Sequence, residues 1–262
     1  MSYDNLGFEV TDGVAVITLQ RPDVGNALSP DMARELSAAA VVVDDDPAIR
    51  AVVLTGSGKL FCAGGDLAIM AEAGAGAKSI VKTMAGDLHM ALSRLSRGAA
   101  PVIGAINGTA GGAGMSLVMA TDIAICSDRA KFTMAYTNAG LAPDGSSTFF
   151  MPRKIGDRRA RELILTNRVL SADEAVEWGV VNRSVPADQV LPEAVALATT
   201  LAQGPTLAFG AAKTLLNESF EHGLEAQMEL ESRAIADMAA TVDGQEGIAA
   251  FHAKRKPIFQ GR

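Results

Sequence analysis

Asp144 stands between Pro143 and Gly145 in the run G-L-A-P-D-G-S-S-T-F-F-M-P-R, positions 140–153. A carboxylate in such a turn has two uses. It can cap a helix that begins near Ser146, because Asp is favoured at N-caps. It can also move protons as a general acid or base. Two further stretches have the composition of a site: F-C-A-G-G-D-L at 61–67 and G-G-A-G at 111–114. Both combine a strand end, small residues and a helix start, so their backbone N–H groups are unobstructed. Two such groups aimed at one point stabilise negative charge on a carbonyl oxygen, and a helix N-terminus behind one adds partial positive charge. The plainer reading of both stretches is ordinary turns with close packing.

Other patterns fail on inspection. Gly56-Ser-Gly-Lys59 lacks the glycine at 53 and the Ser or Thr at 60 that a phosphate loop needs; Val53 and Leu60 stand there. The 108–114 glycines break the dinucleotide pattern at Leu117, and no G-x-S-x-G elbow exists. Three histidines, His89, His222 and His252, without clustered Cys or Glu predict no metal site. Cys62 is expected to be a small buried residue rather than a nucleophile.

The elements that must position these residues read as alternating strands and helices. Asp12-Gly13 predicts a hairpin turn before a strand over 13–20. Ser29-Pro30 predicts a helix running to about Val43. Residues 50–55, 100–106 and 122–126 read as short buried strands, and the glycine-rich 108–114 turn feeds a buried helix. Ser171-Ala-Asp-Glu174 matches a capping box, with Gly179 ending that helix. Strand, helix, strand predicts parallel βαβ units and an α/β fold. From Pro192 to Phe251 the chain reads as mostly helical, and Gly74-Ala-Gly-Ala77 as a loose loop. The expected division is an α/β core over 1–190 and a helical region over 191–262.

The 262 residues are 48% hydrophobic and 20% charged, with net charge −7. That is enough chain for a large core and lacks the basic stripe of a nucleic-acid binder. Two cysteines are not a disulfide framework. No apolar run approaches the ~18 residues of a spanning helix, and the first ten residues carry acids where a leader needs basic ones. The expectation is a soluble cytoplasmic protein with no membrane partner.

A-I-N-G-T-A-G-G-A-G at 105–114, F-C-A-G-G-D-L at 61–67 and L-S-A-D-E-A-V-E-W-G-V-V at 170–181 resemble the crotonase superfamily, the enoyl-CoA hydratase/isomerase family. The likeness runs from about residue 8 to A-F-H-A-K-R-K-P-I-F at 250–259. The resemblance implies a crotonase-type spiral of βαβ units whose helical C-terminal region builds homotrimers or dimers of trimers. It implies an acyl-CoA thioester substrate and no separate cofactor, since coenzyme A is part of the substrate. It assigns the oxyanion-hole N–H groups to Gly65 and Ala113, where the family more often has glycine at the second. Ala63, Asp66 and Leu67 would line the CoA groove. Gly112, Ser116, Tyr136 and Leu141 would meet the substrate, and Phe251 and Lys254 would reach a neighbouring subunit's CoA.

By the same resemblance, family hydratases activate water with two glutamates, whose places here hold Ser116 and Tyr136. Hydroxyls are poor bases near neutral pH, so efficient water addition is not expected. Proline-aspartate at 143–144 resembles the isomerases of phenylacetate breakdown, which use this aspartate for proton transfer. The expected reaction moves a 3-enoyl double bond into conjugation with Asp144 as base. Aryl-CoA dehalogenases are similar too, through L-T-N-R-V-L at 165–170 and His89, twelve residues before Pro101. There Asp144 would be a nucleophile, although their tryptophan is Tyr136 here, and His89 also reads as a solvated helix residue. A catalytically silent acyl-CoA binder is the third reading.

Overall fold

The turn at Asp12-Gly13 forms as expected. β1 (Leu6–Thr11) and β2 (Val14–Leu19) pair antiparallel across it, with positive φ at both turn residues, +50° and +80°, as a tight hairpin of this hand requires. The structure, a computed structural model, describes residues 3–262. Ser29 Oγ accepts the Met32 N–H at 3.2 Å and Pro30 opens α1 (Pro30–Asp45), so the start of α1 agrees with its sequence signal. β3 (Ala51–Gly56), α2 (Leu67–Ala73), α3 (Ala77–Arg97) and β4 (Val102–Ile106) follow. A single 3-10 turn, Gly74–Gly76, joins α2 to α3 where Gly74-Ala-Gly-Ala77 suggested a loose loop. Then come β5 (Ala110–Gly111), α4 (Ala113–Ala120), β6 (Ile123–Ser127), β7 (Lys131–Thr133), α5 (Ser147–Ile155), α6 (Asp157–Thr166), β8 (Leu170–Ser171), α7 (Ala172–Trp178) and β9 (Arg183–Val185). The Ser171–Glu174 capping box is complete, and Gly179 ends α7 in the left-handed conformation at φ +81°.

The main sheet has the order β1-β2-β3-β4-β6-β9 and is parallel from β2 onward. A small second sheet, β5-β7-β8, stands beside it. Side chains alternate across a strand, and here both faces are covered. Val52 and Leu54 pack with Leu36 of α1 and Leu92 of α3, whereas Ala51 and Val53 pack with Ala194 and Ala198 of α8 (Val190–Ala202). This explains why β3 is buried at every position and reads as a continuous apolar run.

After β9 the described residues form helices only: α8, α9 (Thr206–Glu218), α10 (Leu224–Ala240) and α11 (Val242–His252). α8 is a layer of the core. α9 is pinned by Lys213, whose buried ammonium donates to the carbonyls of Leu95 and Ala100, both at 3.0 Å, and pairs with Asp122 at 2.8 Å. α10 has no buried residue.

Candidate active site

The 61–67 turn is held from below by Asn26. Its fully buried amide donates to the carbonyls of Ser57 and Leu60, both at 2.8 Å, and accepts the Arg21 N–H at 2.9 Å. The turn then runs beside Leu28 in strand fashion. Leu28 N donates to the Gly64 carbonyl at 2.7 Å and Asp66 N to the Leu28 carbonyl at 2.9 Å. Amides alternate sides along extended chain, so the Gly65 N–H faces away from Leu28 and finds no acceptor among the described residues.

The second turn is pinned to the first, with Gly111 N donating to the Cys62 carbonyl at 2.9 Å. Gly112 sits at φ +49°, ψ −121°, a conformation that favours glycine. A side chain at Gly114 would collide with the Cys62 carbonyl, so glycine there lets the two turns touch. α4 starts at Ala113, and its first N–H has no intrahelical acceptor and none elsewhere among the described residues. All eight residues of α4 are buried, so the positive end of its dipole is little screened.

Gly65 and Ala113 line one cavity of about 560 Å³ together with Ala63, Leu67, Gly112, Tyr136, Leu141 and Asp144. Asp144 is the sole acidic residue of its lining. Its side chain does not cap α5, which starts at Ser147 without a side-chain cap. Instead Oδ1 accepts the Tyr136 hydroxyl at 2.7 Å, while Oδ2 lies 3.6 Å from His89 Nε2. That nitrogen accepts the Gly145 N–H at 3.1 Å, so its lone pair is engaged and Oδ2 remains open. Burial, reinforced by Asp144, pushes the Tyr136 phenol well above its ordinary range, which keeps it a proton donor.

Behind the phenol, fully buried Ser116 places Oγ 2.9 Å from both Tyr136 Oη and the Asp144 carbonyl, and Ser147 Oγ donates to that carbonyl at 2.8 Å. Ser116 and Tyr136 each carry one hydroxyl proton. Tyr136 donates its proton to Oδ1 and Ser116 donates its own to the Asp144 carbonyl, so the serine holds the Asp144 backbone while the phenol holds its side chain.

The remaining expected site residues lie elsewhere. Asp66 is not in the cavity lining; its buried carboxylate accepts Ile69 N–H at 3.3 Å, capping α2, and pairs with Arg21 at 2.9 Å. Ser116 stands behind the lining. Phe251, 88% exposed, and Lys254 sit at and beyond the end of α11, outside the cavity. Burial pushes the Cys62 thiol up to about 12, which leaves it a poor nucleophile. Sequence reasoning missed Asn26, which folds at a left-handed φ of +55°; the Gly25-Asn26 pair, two residue types that tolerate that conformation, was the available signal. The 68–90 stretch was expected to cover the acyl pocket, and α3 does supply Lys78, Val81, Lys82, Met84, Ala85 and Leu88 to the lining; the individual residues were marked only by spacing on one helical face.

A family model described as enoyl-CoA hydratase/isomerase matches residues 9–262. The chain is 38% identical over 251 residues to 4-chlorobenzoyl coenzyme A dehalogenase-2 of Arthrobacter sp., covering 95% of this chain and 91% of the relative. It is 36% identical over 262 residues to 1,2-epoxyphenylacetyl-CoA isomerase of Escherichia coli, covering 97% of each. A solved enoyl-CoA hydratase from Polaromonas sp. JS666 superposes with a TM-score of 0.92 at 31% identity, covering 97% of this chain and 99% of that one.

Proposed function

The chain belongs to the enoyl-CoA hydratase/isomerase family, and from that premise we propose that it is an enoyl-CoA isomerase that moves a 3-enoyl double bond into conjugation with the thioester. The observation that carries this reading is the open Oδ2 of Asp144 in the same cavity as two unengaged N–H groups, with no second acidic residue to activate water. The thioester carbonyl binds at Gly65 and Ala113 N–H. Oδ2 removes a C2 proton, and the electron pair shifts into a dienolate whose oxyanion those donors hold. Oδ2 then returns the proton at C4. Tyr136 holds Oδ1 throughout, so the base cannot swing away.

A soluble cytoplasmic enzyme working as a homotrimer or dimer of trimers accords with this reading. Leu216, Phe220, Leu224, Met228 and Ile235 of the α9–α10 region are all more than half exposed, which supports burial against another copy. Phe251 and Lys254 would then be free to meet a neighbour's CoA.

The test is NMR of the protein with a trans-3-enoyl-CoA in D₂O, beside Asp144→Asn. Wild type should conjugate the double bond and exchange C2 protons, while the variant loses at least ~10²-fold. Equal behaviour of the two proteins sinks the assignment. The contact between His89 and Asp144 favours a second reading, with Asp144 as nucleophile on an aryl ring as in a dehalogenase. Halide release from 4-chlorobenzoyl-CoA would identify it.

A further inference from the structure

The peptide that links Asp144 to Gly145 is gripped at both ends. Its carbonyl accepts the hydroxyls of Ser116 and Ser147, at 2.9 and 2.8 Å, and its N–H donates to His89 Nε2 at 3.1 Å. Those three side chains come from α4, α5 and α3. The turn needs such a grip, because Gly145 and Ser146 both lie in the left-handed region, at φ +59° and +61°. A side chain at Gly145 would meet Ser116 Cβ at 2.8 Å. Ser146 has a side chain, and a residue of that kind holds this conformation only where its surroundings over-determine it. The same turn carries the carboxylate whose Oδ1 is fixed by Tyr136 and whose Oδ2 is open.

An N–H donor facing Nε2 dictates the state of the ring. Nε2 must present a lone pair, so the imidazole is neutral and its proton sits on Nδ1. His89 is half-exposed and accessible to protons from water. A second proton goes to Nε2, where it meets the Gly145 N–H head-on. The acceptor beside it is then Asp144 Oδ2 at 3.6 Å, less than an ångström beyond the ~2.8 Å of a charge-assisted hydrogen bond. Other charged groups lie off. Asp87, two residues earlier on α3, projects about 200° round the helix. Lys82 and Lys78 stand about 10 and 16 Å back along its axis. Arg94 of α3 is paired with Asp44 of α1 at 2.7 Å, and Lys213 of α9 reaches α3 at the Leu95 carbonyl. On α5, Arg153 and Lys154 are engaged by the Phe149 and Thr121 carbonyls.

We propose that His89 is a positioning residue that works as a proton-operated catch on the Asp144 base. Neutral, it holds the Gly145 amide and leaves Oδ2 free for the C2 proton. With one proton taken from water, it releases that amide and donates from Nε2 to Oδ2, which closes the base. The effect on turnover rests on the reading of Asp144 as the proton-transfer group; the contact itself does not.

NMR of the ¹⁵N-labelled protein without substrate reads the catch directly. At about pH 8, Nε2 of His89 should be the unprotonated ring nitrogen and Nδ1 the protonated one. As the pH is lowered to about 5, across the range in which imidazole takes up its second proton, the Gly145 amide proton should move upfield. In His89→Gln the side-chain oxygen can accept the same N–H and does not titrate, so that amide should stay in place. Turnover, read as C2 exchange from a 3-enoyl-CoA in D₂O, should fall below neutral pH in wild type. In His89→Gln it should persist at least about one pH unit lower, because a carboxylate rather than an imidazole then sets the limit. At about pH 8 His89→Gln should keep kcat within about fivefold, whereas His89→Leu, which offers no acceptor, should lose about tenfold with KM little changed. Three results overturn the proposal: a proton on Nε2 at about pH 8, a Gly145 amide that does not respond to the titration, or the same acid limb in wild type and His89→Gln. If neither protein exchanges C2 protons at any pH, the isomerase reading fails, and the ring state and the amide shift alone decide the catch.

Discussion

Ala113 is where the proposed chemistry can be separated from the fold. Its N–H opens α4 at the cavity and is one of the two donors proposed for the thioester oxygen. Proline is tolerated at a first helical position because that N–H has no helical acceptor. Ala113→Pro should therefore leave the circular dichroism spectrum unchanged while lowering kcat by about 10²–10³-fold. Tyr136 makes a softer test. Tyr136→Phe keeps the ring but removes the donor to Asp144 Oδ1. A hydrogen bond to a charged group is worth about 1.5–3 kcal/mol, so kcat should fall roughly 10–100-fold with KM little changed, as steady-state kinetics will show. Asp144 itself was legible in the sequence as one of two things, cap or base. Its side chain turns from the α5 cap to Tyr136 and His89, 8 and 55 positions away, which no local pattern encodes. For Asp66 the local signal was the better guide, because Asp before a helix start is a common N-cap.

Elements with local causes could be read in advance. The hairpin at Asp12-Gly13, the Ser29-Pro30 start of α1 and the capping box of α7 each depend on a few neighbouring residues. The α3 wall and the seat of α8 on the sheet depend on what packs across, so apolar periodicity alone did not reveal which face met which partner. The tie between α9 and the β4 edge is of this kind. Lys213 satisfies two carbonyls and Asp122, and Asp122 in turn accepts the Val102 N–H at 2.7 Å. Lys213→Met would leave a carboxylate and two carbonyls without their cation. It should cost about 3–5 kcal/mol, measured as a lower urea midpoint. Distance from the cavity predicts little change in the kinetics of the protein that remains folded.

On the scale of the whole molecule, the end of the chain is fastened back onto α11. Glu246 accepts from both terminal nitrogens of Arg255 and from Ile258 N–H at 2.8 Å. The Arg255 guanidinium, helped by that amide, holds the Glu246 carboxyl down to about 2. A depressed carboxylate stabilises the fold above its unfolded pKa and loses that contribution as it protonates. Docking of residues 255–258 should thus be full at pH 5 and above and fade between about pH 4.5 and 2. Hydrogen exchange at Ile258 should follow that window in wild type and lose it in Glu246→Gln. The complete burial of α4 has a different reach. A helix with no wet side is not stable before its surroundings close around it, and the Ala113 donor exists only once α4 does. Turnover therefore reports on the integrity of the core around α4. Along a denaturant series, residual activity and the methyl signals of the core should vanish together, with no population that is compact yet unable to hold an oxyanion.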